Sequence, residues 1–230
     1  MHLAIAACLR EIHLQIKNAS SDDATSTALF TALALACSRL VTQHNAFAFL
    51  HSGRETIEGP WGDGKFPMSW DFIEANPLSG VGASLQSALN WVISTYENLS
   101  EIRHTAVVSR GNASSLAFSD ETFDAVITDP PYYDNVSYSN LSDAFYIWLK
   151  RSIGPLYPDH FASELTPKRT EAIMAAYRHH DDKSAASKSY ESMMASALLQ
   201  AHRVLKSSGT LSIGHLEQCR FRRVIGYQCR

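Results

Sequence analysis

The sequence has few cysteines, and their spacing excludes the usual metal and disulfide patterns. Among its 230 residues there are 4 cysteines, with no Cys-x2-Cys pair of the kind that binds zinc. His179-His-Asp-Asp182 has metal-ligand residue types, but neighbouring side chains diverge, so a solvated turn is the simpler interpretation. We therefore predict no metal and no disulfide framework, and reduced thiols in a cytoplasmic protein.

An excess of positive charge is also lacking. Lys and Arg together number 20 against 23 Asp and Glu, which gives a net charge of −3. Such a balance produces no global positive field that would draw the chain onto nucleic acid. The basic pairs Lys150-Arg151 and Lys168-Arg169 are typical of solvated surface. Any DNA contact must therefore depend on a local site or on a partner.

No hydrophobic run is long enough to predict a membrane span. The longest uncharged apolar stretch near the start, Ala24 to Ser38, has 15 residues, fewer than a bilayer requires. The apolar run at the extreme N-terminus follows no basic region, so the pattern of a signal peptide is missing. We predict no membrane association.

Hydrophobic residues make up 45% of the chain, which supports a globular core. Apolar periodicity changes between the helical and the strand type along the chain, and this alternation predicts a parallel α/β sheet preceded by N-terminal helices. Gly209 is suited to a left-handed cap at the end of the last helix. The predicted helices are Leu3–Lys17, a helix capped within Asn18–Asp23 and running to about Phe49, Ser84–Ile102, Ser139–Ile153 and Ser184–Lys206; the predicted strands are Thr105–Ser109, Ala125–Ile127 and Thr210–Ile213.

The most informative segment is Asp124-Ala-Val-Ile-Thr-Asp-Pro-Pro-Tyr132. Its apolar run predicts a strand buried on both faces of a parallel sheet. Pro130 and Pro131 cannot continue that strand, because each lacks an N–H and has a fixed φ. The chain must therefore leave the sheet at its carboxyl edge, where open α/β sheets bind ligands.

These residue types suit an exocyclic amine on a nucleobase. The Asp129 carboxylate and the carbonyl of Pro130 can accept both N–H groups of an –NH2, which draws the nitrogen lone pair out of conjugation with the ring. The ring of Tyr132 offers a face on which the base can stack. A base inside a duplex cannot reach such a pocket, so it must be flipped out or come from a single strand.

At these residues the chain resembles the S-adenosylmethionine-dependent amino-methyltransferases with a DPPY motif. More narrowly, it is similar to the DUF1156-type adenine-specific DNA methylases. The similarity includes Asp129 to Lys150, Pro67-Met-Ser-Trp-Asp-Phe72, Asn76-Pro-Leu-Ser-Gly80, Phe161 to Lys168 and Val204-Leu-Lys-Ser-Ser-Gly209. The resemblance implies a Rossmann-like class I methyltransferase sheet, with Asp129, Pro130, Pro131 and Tyr132 as the amine-binding group.

The chain departs from the family in the part that should hold the cofactor. The glycine-rich turn after the first strand is missing, and so is the acidic residue that binds the ribose. Gly59-Pro-Trp-Gly-Asp-Gly64 does not replace that turn, because no apolar strand precedes it. Gly111-Asn-Ala113 stands where the family often has Gly-Asp-Ala, so Asn112 is the expected contact to the cofactor adenine. The sheet therefore looks incomplete, as in a fragment that relies on an N-terminal segment or a partner subunit.

The resemblance predicts three regions and a function. The regions are residues 1–82, helical and rich in loops, 83–217, the catalytic half, and 218–230, a poorly matched tail. Tyr133, Asn135 and Tyr138 are candidates for substrate binding. The first hypothesis is methyl transfer from S-adenosylmethionine to adenine N6 in DNA, which the resemblance alone favours over cytosine N4, because both bases present the same amine. The alternatives are an inactive remnant or interaction module without methyl transfer, and methylation of an RNA or protein amine.

Overall fold

The computed structural model describes residues 1–19, 22–59, 70–80, 82–134 and 136–214. The chain is of mixed α/β type and divides into two compact units. The first, here called the helical unit, comprises Met1–Ala106 and Tyr138–Lys168. The second, the sheet unit, comprises Val107–Ser137 and Arg169–Arg230, and is described as far as residue 214.

The helical unit contains the N-terminal helices that the sequence predicts. A short antiparallel hairpin lies within the region that was expected to be helical and rich in loops, and its two strands pair through Leu50 and Ile57. The elements are α1 (His2–Ala19), α2 (Asp23–Arg39), β1 (Phe49–His51), β2 (Thr56–Glu58), α3 (Leu85–Ser100) and α4 (Tyr138–Ile153).

Side-chain caps fix where two of these helices begin. Asp22 accepts hydrogen bonds from the amides of Ala24 and Thr25 at the start of α2. A hydrogen bond from the Thr25 side chain, followed by those two amides, lowers the pKa of Asp22 from its usual value. Ser84 caps α3 by accepting from the amide of Ser87 at 3.2 Å. The capping residues expected between Asn18 and Asp23 are therefore confirmed.

Helix α2 ends earlier than the sequence predicts. It stops at Arg39 and passes into a 3-10 turn, Leu40–Thr42, instead of running to about Phe49. The side-chain amide of Asn45 donates to the carbonyl of Val41 at 2.9 Å. Its side-chain oxygen accepts from the amide of Phe47 at 2.9 Å. This side chain satisfies backbone groups that a longer helix would have used, so the chain turns.

The core of the helical unit forms where three helices meet. Leu9 of α1, Ile153 of α4 and a row of α2 residues form one buried cluster. Phe30 is fully buried, and burial of a side chain of this size contributes about 1.5–3 kcal/mol. Burial also raises the pKa of the Cys37 thiol to about 11. The α2 residues in the cluster are Phe30, Ala34 and Cys37.

Asp23–Thr42 is the one stretch among the described residues that is long and apolar enough to cross a membrane. With its 3-10 extension it reaches 20 residues, more than the apolar run alone suggested. Buried residues make up 44% of it. A core helix of a globular domain has the same length and composition, and the packing around Phe30 is of that kind.

The sheet unit is built on two parallel strands and one long helix. Strand β3 (Phe123–Thr128) pairs in parallel with β4 (Leu205–Ile213). Helix α5 (Lys183–Val204) leads directly into β4 and is capped by Asp182. Its buried face repeats at helical spacing and forms most of the core of this unit. The residues on that face are Ala186, Tyr190, Met194, Leu198, Ala201 and Val204.

One predicted strand is not formed, and a second is formed but is less buried than predicted. Thr105–Ser109 forms no strand, and the side chains of Val107 and Val108 are 97% and 91% exposed. β3 was expected to be buried on both faces, yet Ile127 is 82% exposed. An apolar run forms a buried parallel strand only where neighbouring strands and helices cover it. In the described part of the chain β3 has a single strand partner.

Gly209 is not a helix cap, because it lies inside β4, which begins five residues earlier than predicted. The pairing of β3 with β4 shifts register between Phe123 and Ala125. A Cβ at position 209 would lie 2.6 Å from Cδ1 of Leu205 and 3.0 Å from the carbonyl oxygen of Asp124. Glycine is therefore required here by the close approach of the neighbouring backbone.

Candidate functional site

Asp129 is the first residue after β3, at the carboxyl end of the parallel pair. Gly214 holds the equivalent position after β4, and its amide donates to the carbonyl of Thr128 at 2.8 Å. A Cβ at position 214 would lie 3.0 Å from Oδ1 of Asp129 and 3.2 Å from Cγ. The carboxylate therefore lies directly against the backbone of Gly214, and it is solvent-exposed.

The two prolines differ in what their carbonyl groups do. The Pro131 carbonyl accepts a hydrogen bond from the Tyr190 hydroxyl at 2.9 Å. Pro130 is buried, and its carbonyl accepts no hydrogen bond from any residue that the structure describes. The carbonyl that the sequence predicts as the second amine acceptor is thus the one that remains open. The neighbouring carbonyl is used to fix the turn.

Tyr132 faces Asp129. Its hydroxyl lies 3.3 Å from Oδ1 and 3.5 Å from Oδ2 of that carboxylate, and its side chain is 37% exposed. Hydrogen bonds of this length are weak. The phenol can therefore be exchanged for another donor at small cost, so the Tyr132 ring and the Asp129 carboxylate are able to serve a common ligand.

Tyr133 packs against α5. Its hydroxyl donates to Oγ of Ser187 at 3.0 Å, and its ring meets that of Tyr190 edge-on at 5.2 Å. Its carbonyl accepts from the amide of Met174 at 2.8 Å. Burial, and then the neighbouring Tyr133, raise the pKa of the Tyr190 hydroxyl, which remains a donor at neutral pH. These contacts give Tyr133 a structural task in addition to any contact with substrate.

Two further residues were predicted to bind substrate. Asn135 lies outside the described residues. Tyr138 begins α4 in the helical unit, with a 52% exposed side chain.

A buried ion pair anchors the segment that follows the motif. Arg178 meets Glu171 at 2.8 Å, with side chains that are only 17% and 11% exposed. The same guanidinium donates to Oγ of Ser137 at 2.7 Å. An ion pair with so little exposure fixes the positions of both side chains, because removal of one partner would leave the other charge without compensation. The backbone after Tyr133 is therefore held at Ser137.

The predicted cofactor turn, Gly111-Asn-Ala113, is exposed to solvent. The side-chain oxygen of Asn112 accepts from the amide of Ser114 at 2.9 Å, and its carbonyl accepts from Ser115 at 2.9 Å. Asn112 thus forms an Asx turn with its own backbone. One lone pair of its side-chain oxygen and the –NH2 group are left to meet a ligand.

Helix α5 supports both predicted segments. Tyr190 holds the Pro131 carbonyl, and one turn further on the carbonyl of Met193 lies 3.5 Å from Oγ of Ser114. The two anchors are about 4.5 Å apart along the helix axis. Tyr190 and Gly214 were not found from the sequence. Tyr190 could have been noticed as an aromatic residue in the apolar stripe of α5, whereas no local pattern marks Gly214.

The residues present fit S-adenosylmethionine only in part. Asn112 can offer the adenine one uncharged contact, but the sequence contains neither the glycine-rich turn nor the acidic residue for the ribose. Among the described residues there is also no group of three or more His, Cys, Asp or Glu side chains able to hold a metal ion. The site therefore has more of the groups that bind an amine than of the groups that bind a methyl donor.

Comparisons with family models, with curated proteins and with solved structures gave no match to this chain. The geometry around Asp129 and the sequence resemblance are therefore the observations on which a function can be proposed.

Proposed function

We propose that the chain is the amine-binding part of an amino-methyltransferase that methylates adenine N6 in DNA, with S-adenosylmethionine as the cofactor. One observation carries the proposal. Asp129, with an exposed carboxylate, and Pro130, whose carbonyl has no hydrogen-bond partner among the described residues, follow each other directly at the carboxyl end of a parallel strand, on a turn held by Tyr190. That edge would belong to a Rossmann-like sheet completed by further strands.

The two acceptors act on the amine before it reacts. Each accepts one N–H of the adenine amino group, and this orients the nitrogen lone pair away from the ring system. The nitrogen attacks a methyl carbon whose bond to sulfur breaks with both electrons on sulfur, and the methylated nitrogen then releases one proton. The cofactor, when bound, supplies the methyl sulfonium. The residues of this chain bind and orient the amine, and the reaction requires no group with a shifted pKa.

Tyr132 exchanges its partner during binding. Its long contacts with Asp129, at 3.3 and 3.5 Å, are replaced by the shorter N–H contact of the amine. The Tyr132 ring then stacks on the extruded base, an interaction of about 1–3 kcal/mol. Gly214 is needed because any side chain there would displace the carboxylate from its place.

This chain contributes only part of the cofactor-binding site. Asn112 contributes to the adenine end, and an N-terminal segment or partner subunit with a glycine-rich turn contributes the rest. The net charge of −3 implies that this partner also provides much of the basic surface for DNA.

The test is methyl transfer from radiolabelled S-adenosylmethionine to DNA, measured with the chain and its upstream or partner segment together. Asp129→Ala should lower the rate at least about 100-fold, because an acceptor used in the transition state is lost. Asp134→Ala, which removes an exposed carboxylate five residues away, serves as the matched control and should keep full activity. Equal rates for Asp129→Ala and the unmodified protein would refute the proposal.

A second candidate is an interaction module without methyl transfer. The observation in its favour is the 97% and 91% exposure of Val107 and Val108, where a complete methyltransferase sheet would bury a strand. Calorimetric titration with S-adenosylmethionine separates the two candidates. Binding at micromolar concentration contradicts the inactive module; no heat at millimolar concentration contradicts catalysis by this chain alone.

A further inference from the structure

A groove of about 580 Å³ runs along the surface of the helical unit between α2 and α3. All of its lining residues belong to the helical unit, and none of them takes part in the proposed methyl transfer. We call it the docking groove and define it by six of its lining residues. They are Leu35 and Arg39 of α2, with Trp91, Thr95, Tyr96 and Leu99 of α3.

The apolar side chains of the docking groove are not part of the core. Leu35 is 48% exposed, Trp91 60% and Leu99 52%. Single exposed apolar residues are common on protein surfaces, whereas these side chains, with two aromatic rings among them, line one continuous groove. Trp, Tyr and Arg are also the residues most enriched among those that dominate binding energy at interfaces, and all three occur here.

The charge of the groove has one sign. The guanidinium of Arg39 lies over the Trp91 ring, 5.0 Å from its centroid. Within the described ranges, no carboxylate lies within 4.0 Å of this guanidinium, and no Asp or Glu lines the groove. A guanidinium held flat on an indole still has N–H donors at its edge. The groove therefore complements a carboxylate on whatever occupies it.

The shape of the groove suits a helix. On α2 and the 3-10 turn that follows it, the lining positions 35, 39 and 42 recur every three or four residues, and on α3 so do 91, 95 and 99. Two such ridges leave between them a channel into which the ridge of a third helix packs. From Trp91 to Leu99 the lining covers eight residues of rise, or about 12 Å, the length of two helical turns.

We propose that the docking groove binds an amphipathic helix of a partner protein. The helix spans two to three turns and places apolar side chains between Leu35 and Leu99. A carboxylate beside that apolar stripe meets Arg39. This is the helix-in-groove mode of recognition, in which the anchors recur at i, i+3 or i+4 and i+7.

The experiment is selection from a displayed library of helical peptides of about 14 residues against the full chain. The expected peptides carry an Asp or Glu adjacent to an apolar i, i+4, i+7 stripe. Their affinity should fall at least about tenfold for Arg39→Glu and for Trp91→Ala. Replacing the selected acid by Lys should restore binding to Arg39→Glu, a charge exchange that loss of folding cannot imitate.

The matched control is Leu29→Ala, which shortens another exposed leucine of α2 outside the groove. It should bind the selected peptides as the unmodified chain does, whereas Leu35→Ala should bind them more weakly. The proposal is overturned if no peptide is enriched, if the enriched peptides lack an acid, or if Arg39→Glu binds them unchanged. A dimer in sedimentation equilibrium that Trp91→Ala abolishes would assign the groove to a second copy and would likewise overturn it.

Discussion

Helices α1, α2 and α4 cover apolar side chains where they meet, whereas strand β3 and the segment at Val107 and Val108 leave apolar side chains exposed. In the helical unit Phe30 is completely buried and the helices pack on each other. In the sheet unit Ile127 projects from β3 with 82% exposure, and Val107 and Val108 are almost fully exposed. A helix completes its backbone hydrogen bonds within itself, whereas a parallel strand needs neighbours from distant parts of a chain. The strands are therefore the elements whose apolar side chains depend most on cover from a partner.

The candidate site belongs to the less complete unit, yet its turn is well held. Tyr190 is only 3% exposed and fixes the Pro131 carbonyl, and the Arg178–Glu171 pair fixes the segment that follows. Order at the site therefore comes from α5 and its surroundings more than from the sheet. The predictions below test the contrast between the units, in decreasing order of expected effect.

Phe30→Ala should have the largest effect. It removes a fully buried ring and should lower the free energy of unfolding of the helical unit by about 3–5 kcal/mol. Urea denaturation followed by circular dichroism measures the change. Phe72→Ala, at a side chain that is 45% exposed, is the control and should cost less than about 1 kcal/mol. If Phe30→Ala lowered the free energy of unfolding as little as the control does, the buried core inferred for the helical unit would be contradicted.

Gly209→Ala should destabilise the sheet unit by about 1–3 kcal/mol, because the new methyl group would press on Leu205 and on the Asp124 carbonyl. Gly111→Ala is the matched control, since a Cβ there meets nothing within 4 Å. Thermal unfolding of both variants gives the difference. Equal stability of the two variants would show that β4 has no close contact at Gly209.

Asp143→Asn should weaken the helical unit in a pH-dependent manner. Burial alone would raise the pKa of Asp143, but hydrogen bonds from Lys168 at 2.7 Å and from Thr166 hold that pKa below its usual value. Because the folded-state pKa is the lower one, the stabilisation is complete above the unfolded pKa of about 3.9 and is lost as pH falls through the folded value.

At neutral pH the loss for Asp143→Asn should be about 1–2 kcal/mol, since the Lys168 side chain is one third exposed and solvent screens the pair. Urea midpoints measured between pH 7 and pH 2 give the profile. The curves of the variant and the unmodified chain should converge below about pH 4. A constant difference at all pH values would assign the effect to packing.

Ile127→Thr should have the smallest effect, within about 0.5 kcal/mol, because the side chain is already 82% exposed. The same variant measured together with an upstream or partner segment should lose binding if that segment covers β3. If the variant lowered the free energy of unfolding of the isolated chain by more than about 1 kcal/mol, this face of β3 would already be covered, contrary to the 82% exposure of Ile127.

Local signals in the sequence were sufficient for most helices. The apolar spacing and the caps at Asp22 and Ser84 gave their starts within one or two residues. They were insufficient for the end of α2, because the side chain of Asn45 intervenes. They also failed for Thr105–Ser109, whose apolar composition is that of a strand but whose neighbours are absent from the described residues. A strand is a property of the sheet around it.

At the candidate site the sequence pointed to Asp129 and the two prolines and missed the residues that support them. Asp129 and the prolines stand out because of their order directly after an apolar run. Tyr190 lies 59 residues from the carbonyl that it holds, and such a contact has no local signature. Gly214 likewise matters only because folding places it against Asp129.

The burial of Cys37 makes its thiol a reporter of how often the helical unit opens. A thiol with a pKa of about 11 is almost entirely protonated at neutral pH, so an alkylating reagent can modify it only when the helices around it separate. Cys8 is exposed on the first helix and can react without any such opening. The ratio of the two labelling rates therefore counts how often the helical unit opens, and it does so without denaturant, cofactor or DNA.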